Sequence, residues 1–63
     1  MEPEINAVAR EIRTLMTVID SDLDLSLSGR RGAKAAAKRA RKHSLELERL
    51  LLAYRKLSVK EIG

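Results

Sequence analysis

Apolar positions between Lys34 and Lys60 recur with the period of a helix. One apolar seam, spaced alternately by four and three residues, consists of Ala36, Ala40, His43, Leu47, Leu50, Tyr54 and Leu57, and Leu51 widens it. This spacing places the side chains on the face of a helix that packs against another helix. No Gly or Pro interrupts the segment, and strong helix formers fill most of it. The pattern predicts a helix over about residues 33–60.

The N-terminal part of the chain carries a second apolar stripe with helical spacing. Its members are Ile5, Val8, Ala9, Ile12, Leu15, Met16 and Ile19. Glu2-Pro3-Glu4 is typical of a helix start, because proline fits the first turn and acids favour the positive end of the helix dipole. Leu23 and Leu27 continue the spacing beyond the weak helix formers around Asp22. The stripe predicts a helix over about residues 4–25.

The segment Ser28-Gly29-Arg30-Arg31-Gly32 separates the two predicted helices. Its two glycines and its serine mark a turn. Short connections between helices give antiparallel neighbours. We therefore expect an all-α fold, an antiparallel two-helix hairpin that forms a single domain over residues 1–63.

A further set of apolar residues lies off the seam of the second helix. Leu45, Leu52 and Val59 are seven residues apart, and an isolated hairpin would leave them in water. A chain of this size buries only about 60% of its unfolded surface. The sequence has no cysteine and no metal-ligand cluster that could stabilise it by other means. We therefore interpret the three residues as a contact with another copy, in a homo-oligomer that is a dimer or a higher helical bundle.

The net charge of +4 is unevenly distributed. Residues 1–28 carry two basic and six acidic residues, whereas residues 29–63 carry eleven basic and three acidic ones. Seven of these basic residues fall between positions 30 and 42 without an intervening acid: Arg30, Arg31, Lys34, Lys38, Arg39, Arg41 and Lys42. The simplest alternative is a solvated charged surface. However, seven cations without an acid depart from the mixed signs that solubility requires, so the segment favours a polyanion partner.

The chemistry of this basic segment favours phosphate contacts over base recognition. Contacts of cations with phosphates are independent of sequence and sensitive to salt. Alanines separate the charges, and no Asn or Gln lies among them to recognise base edges. Tyr54 is the single aromatic residue and is predicted on the seam, so base stacking is not supported. The segment therefore predicts sequence-independent binding of a nucleic acid through its phosphates, and the residues alone leave DNA and RNA as alternatives.

The other chemically active side chains are more simply structural. His43, Tyr54 and Met16 are expected to pack in the interior of the hairpin, and Asp20, Asp22 and Asp24 to neutralise part of the basic segment in the same chain or in another copy. The three aspartates have the linear spacing of a calcium loop but lack its glycine and its terminal glutamate. No nucleophile–base pair, carboxylate dyad or nucleotide loop is recognisable. We therefore expect no enzyme, no metal, no cofactor and no small-molecule substrate.

The second half of the chain resembles a known family. The matching residues are Lys34-Ala35-Ala36-Ala37, Arg39, Arg41, Ser44, Leu47-Glu48, Tyr54-Arg55-Lys56 and Ser58-Val59-Lys60. This pattern is similar to that of the bacterial histone-like nucleoid proteins typified by the chlamydial linker-histone-like protein. Similar basic segments also occur in virion proteins of large DNA viruses. Bacterial members usually continue into a lysine- and alanine-rich tail. Because this sequence ends at Gly63, we expect the helical module and its own basic segment to bind.

The resemblance implies DNA binding and compaction without catalysis. It also implies a cytoplasmic, nucleoid-associated protein, with a virion as the alternative location. No membrane partner is expected, since no apolar stretch approaches the roughly 18 residues that span a bilayer. Two other functions fit the residues: an RNA- or ribosome-associated basic protein, and a helical scaffold that assembles with itself through its acidic and basic ends.

Overall fold

The computed structural model describes residues 4–63, which form an antiparallel hairpin of two helices. Helix α1 spans Glu4–Ser26 and helix α2 spans Ala33–Glu61. The all-α hairpin predicted from the two apolar stripes is therefore confirmed, with helix ends one residue beyond those expected. Glu2 and Pro3 of the proposed start signal lie outside the described residues. Within residues 4–63, no helix is long and apolar enough to cross a membrane.

The loop of residues 27–32 reverses the chain by means of two glycines in the left-handed region. Gly29 has φ 72° and Gly32 has φ 91°. These conformations are energetically unfavourable for residues that have a Cβ atom. The hydroxyl of Ser28 donates a hydrogen bond to the carbonyl of Leu25 at 2.6 Å and accepts one from the Arg30 N–H at 3.1 Å. Gly32 then caps α2, and its carbonyl accepts the Ala36 N–H at 2.9 Å. These contacts end α1 and begin α2, which runs antiparallel to it.

The interior of the hairpin is small. Ala36 and Ala40 are the buried apolar residues of the described chain, and none of its large side chains is fully buried. Ile12, Leu15, Ile19, Leu47 and Leu50, which were predicted at the contact between the helices, are half-buried. Two helices cover only a narrow stripe of each other, so the flanks of both apolar stripes remain open to water.

Two residues that we expected in the interior are exposed. Met16 is 55% exposed and Tyr54 is 37% exposed, and Leu51 beside the seam is 43% exposed. Their positions have the right helical spacing, but they lie on the flank of each helix and not on the line of contact. His43, in contrast, is partly buried as predicted, with its side chain 24% exposed.

The flanking residues form an apolar groove along one side of the hairpin. We call the groove the surface whose apolar members are Met16, Leu23, Leu47, Leu51 and Tyr54. Three adjoining shallow depressions of about 600, 460 and 330 Å³ make it up, and they share lining residues from both helices. The opposite side of the hairpin is more polar, with a depression lined by Arg10, Glu11, Thr14, Leu15, Glu46 and Leu50.

Candidate nucleic-acid interface

The basic segment predicted from the sequence lies at the loop end of the hairpin. Arg30 and Arg31 belong to the loop, and Lys34, Lys38 and the residues up to Lys42 lie in the first turns of α2. All seven cationic residues are exposed. The first turn of α2 contains no acidic residue, and its cap, Gly32, has no side chain to occupy the N–H groups there. The positive end of the helix dipole therefore adds to the positive potential of the segment.

Arg39 differs from the other cations because it pairs with an aspartate of α1. Its Nε donates a hydrogen bond to Oδ1 of Asp22 at 3.2 Å, and its Nη2 lies 3.1 Å from the same oxygen. The Arg39 side chain is 50% exposed, whereas that of Asp22 is only 11% exposed. This contact confirms, for Asp22, the prediction that the aspartates neutralise part of the basic segment within the chain. Asp20 and Asp24 are both exposed.

Asp22 is the buried charged residue of the described chain, so its partner matters for folding. Burial of a carboxylate without a compensating charge destabilises the folded state. Removal of one member of a buried ion pair therefore leaves the other charge uncompensated. The second oxygen, Oδ2, lies 3.9 Å from Nδ1 of His43. Neither of these two atoms has a hydrogen-bond partner within the described residues. Arg39 thus joins the two helices through its contact with Asp22.

The remaining cations of α2, except Arg55 in the groove, lie on the side of the helix that faces away from α1. We define the outer face as the exposed residues opposite the seam: Lys34, Lys38, Arg41, Lys42, Leu45, Arg49, Leu52, Lys56 and Val59. At 100° per residue these positions fall on one broad strip of α2. From Lys34 to Lys56 the strip extends about 33 Å at about 1.5 Å per residue.

Arg49 and Lys56 extend this cationic surface beyond the segment identified from the sequence. They follow Lys42 at intervals of seven residues, so the three cations share one side of α2. That interval was the available signal in the sequence, but Glu46 and Glu48 interrupt the run of basic residues after Lys42.

The acids of the middle of α2 lie at the edges of the outer face. Glu48 lines a depression of the groove together with Arg55, and Glu46 lines the opposite flank with Arg10. The defined members of the outer face are cations and aliphatic side chains, and exposed Glu48 borders them, three residues after Leu45 and four before Leu52. A continuous basic strip along one helix is the electrostatic footprint of a nucleic-acid-binding protein.

The residues predicted to contact another copy also lie on the outer face. Leu45 is 60% exposed, Leu52 46% and Val59 72%, which agrees with their placement away from the seam. They alternate along the helix with the cations of the same surface. The single chain does not test the predicted assembly, which stays a prediction.

The described residues do not assemble a metal centre. Within residues 4–63, no group of three or more His, Cys, Asp or Glu side chains is placed to hold a metal ion. The Asp22–Arg39–His43 cluster is a contact between helices.

The fold and the outer face define a small helical hairpin with one basic surface. The chain belongs to the family described as histone H1-like protein Hc1, whose family model matches residues 6–62. This match confirms the resemblance that was recognised from the second half of the sequence and extends it to α1. No curated protein and no solved structure matches the chain significantly.

Membership of a histone H1-like family indicates a DNA-binding protein that is associated with the nucleoid. Such a family is generally non-enzymatic. The match gives no support to the virion alternative.

Proposed function

We propose that this protein binds double-stranded DNA without sequence preference, through contacts of the outer face and the loop with phosphates, and compacts it as a homo-oligomer. The observation that carries the proposal is the cationic strip of the outer face, which lies away from α1 and has Glu48 at its edge. Counterion release from DNA then supplies most of the binding free energy. Because the family is histone-like, DNA is a better-supported partner than RNA.

The side chains on the outer face suit phosphate contacts. Lysine and arginine reach phosphate oxygens over several ångströms, and phosphate contacts carry no direct sequence information. No Asn or Gln lies on the outer face, so hydrogen-bonding amides that recognise adenine are missing from it. Tyr54 lines the groove and does not belong to the outer face. Stacking of unpaired bases on an aromatic side chain therefore has no place in the proposed mode of binding.

Salt dependence of DNA binding tests the proposal. We expect about four to six phosphate contacts per chain, so the logarithm of affinity should fall with the logarithm of salt concentration at a slope of about −4 to −5 for one copy, and more steeply for an oligomer. A titration with duplexes of random and of fixed sequence measures the slope and the specificity together. Affinities for the two duplexes should agree within a small factor. A strong preference for one sequence would contradict the proposal.

Competition between RNA and DNA for the protein distinguishes the proposed function from the RNA-binding alternative. Duplex RNA and single-stranded RNA of matched length should displace the DNA only at higher concentration if DNA is the partner. Preferential displacement by RNA would instead favour an RNA- or ribosome-associated protein. A chain that binds neither polymer at low salt but assembles with itself would favour the scaffold.

A further inference from the structure

The side of α1 that faces away from α2 takes no part in the proposed DNA contacts. We define the α1 strip as the exposed polar and charged residues at helical spacing on this side: Asn6, Arg10, Arg13, Thr14 and Thr17. They fall within about 100° of one another around the helix, whereas the half-buried Ile12, Leu15 and Ile19 lie on the side that contacts α2. The strip extends about 17 Å along α1 at about 1.5 Å per residue.

Three members of the α1 strip surround a depression on the surface of α1. Asn6, Arg10 and Arg13 line it together with Ala9, and its volume is about 350 Å³. The single methyl group of Ala9 leaves room between the longer side chains. Arg13 also borders the groove. Two guanidinium groups and one amide are thus brought together around a concave surface at the end of the hairpin opposite the loop.

The hydrogen-bonding groups of the α1 strip are suited to a phosphate. The hydroxyls of Thr14 and Thr17 donate to carbonyls of their own helix at 3.1 and 3.2 Å. The donors that the strip offers to a ligand are therefore the two guanidinium groups and the amide of Asn6. Guanidinium groups form charge-assisted, bidentate hydrogen bonds with phosphate oxygens.

The charges around the depression also favour an anion. Glu11 is the single acid between residues 5 and 19, and it lines the depression on the other flank of the hairpin. Arg10 borders both depressions, and the described structure gives Arg13 no ion pair with an acid. Asp20 follows where the strip approaches the loop. The positive part of the α1 surface therefore lies toward the end of the hairpin opposite the loop.

The α1 strip and the outer face of α2 lie on opposite sides of the hairpin. Each surface faces away from the other helix, and the hairpin has principal-axis extents of 45 × 19 × 14 Å. Two packed helices are about 20 Å thick, from an axis separation of about 8–10 Å and a helix diameter of about 10–12 Å. A straight duplex that is bound to the outer face consequently does not reach the α1 strip.

We propose that the α1 strip binds phosphates of a second DNA duplex, so that one hairpin bridges two duplexes. This inference rests on the proposed function, since the outer face binds the first duplex. Arg10 and Arg13 contact phosphate oxygens of the second duplex, and Asn6 donates its amide N–H to the same backbone. The bridge holds two duplexes side by side and compacts DNA without bending it.

Capture of one duplex by another measures bridging. A fluorescent duplex is captured by a bead-bound duplex in the presence of the protein, and a separate titration with one short duplex measures the first contact. Arg10→Gln with Arg13→Gln removes both guanidinium groups and keeps good helix formers. The control, Arg55→Glu, changes the net charge by the same two units in the groove, outside the α1 strip and the outer face.

The two variants should differ in capture and agree in the first contact. Arg10→Gln with Arg13→Gln should reduce capture at least about tenfold, because two phosphate contacts with the second duplex are lost. It should bind the single duplex as tightly as the control does. The salt slope of capture should also fall in magnitude by about 1.8, from about 0.9 for each lost contact. The control should capture the second duplex as the wild type does.

A charge-preserving variant distinguishes phosphate binding from a structural role of the arginines. Arg10→Lys with Arg13→Lys keeps both charges, and lysine binds phosphate as a point charge. Capture should therefore stay within a few fold of the wild type. Loss of capture in both the Lys and the Gln variants would assign the arginines a structural role and overturn the proposal.

Three other results would also contradict the bridge. Equal capture by the Gln variant and the wild type would show that another surface holds the second duplex. Displacement of the second duplex by inorganic phosphate at constant ionic strength would show that the α1 strip takes a free anion. A wild type that binds the single duplex but captures no second one overturns the bridge and leaves the proposed function intact. Failure to bind the single duplex contradicts the proposed function itself.

Discussion

The outer face and the groove expose aliphatic side chains to a similar extent but surround them with different charges. Leu45 and Leu52 of the outer face are 60% and 46% exposed, and Met16 and Leu51 of the groove are 55% and 43% exposed. Cations outnumber the one anion, Glu48, among the charged neighbours of the first pair, whereas the groove has two cations and two anions. The amount of exposed apolar surface therefore does not distinguish the two. The surrounding charge distinguishes the two surfaces, because it determines which partner can approach each surface without repulsion.

A second difference lies in how the cations are held. On the outer face, Lys38, Arg41 and Lys42 point away from α1, and the described structure gives them no ion pair with an acid. Arg39, one residue away from Lys38, is turned toward Asp22. Neighbouring cations on one helix therefore differ in their contacts. Lys38, Arg41 and Lys42 remain available for phosphate, and Arg39 stabilises the hairpin.

The largest expected effect is on stability, and it distinguishes Arg39 from the cations of the outer face. Arg39→Gln should lower the free energy of unfolding by about 1–3 kcal/mol, because Asp22 is left buried without its charged partner. Denaturant unfolding at a fixed protein concentration measures this loss. The double variant Asp22→Asn with Arg39→Gln should lose less than the sum of the single changes, because neither charge is then left alone. If Arg39→Gln unfolds at the wild-type midpoint but reduces the salt slope by about 0.9, then Arg39 binds phosphate as the sequence predicted.

A smaller effect tests how far the outer face extends along α2. Arg49→Gln with Lys56→Gln should reduce the magnitude of the salt slope by about 1.8 if both side chains contact phosphate. Helicity should be preserved, since Gln is also a good helix former. Circular dichroism and a DNA titration at several salt concentrations provide the two readings. An unchanged slope would restrict DNA binding to the loop end of the hairpin.

The smallest expected effect concerns the aliphatic residues of the outer face. Leu45→Ser with Leu52→Ser should change the DNA salt slope by less than one contact, because neither side chain carries a charge. The same titration measures it, with the wild type as reference. A loss of affinity at unchanged slope would show that these leucines contact DNA through their apolar surface, and would remove the distinction between cations and aliphatics on this face.

The sequence was sufficient for the helices, their direction and most of the cationic surface. The apolar stripes and the two glycines of the loop are local signals, and the helices ended within one residue of the expected positions. Met16 and Tyr54 were assigned incorrectly to the interior, because spacing identifies an apolar stripe but does not give the width of the contact that covers it. That width depends on the partner helix.

The pairing of Arg39 with Asp22 was beyond what the sequence could specify residue by residue. The two residues are seventeen positions apart, and their contact depends on the register of the antiparallel helices. The sequence indicated only that acids at the end of α1 lie beside the basic segment. Arg49 and Lys56 show the converse: their seven-residue spacing from Lys42 was visible in the sequence, but Glu46 and Glu48 interrupt the run of basic residues before them.

The most direct test of the central claim compares neutral and charged substitutions at the same outer-face positions. Lys38, Arg41 and Lys42 are changed together to Gln in one variant, and Lys38 and Lys42 are changed to Arg in the other. Binding of each variant to random duplex DNA is measured as a function of salt. We predict a slope smaller by about 2.7 in the Gln variant, from about 0.9 for each lost contact, and a wild-type slope in the Arg variant. Equal slopes and affinities in the Gln variant and the wild type would contradict the account.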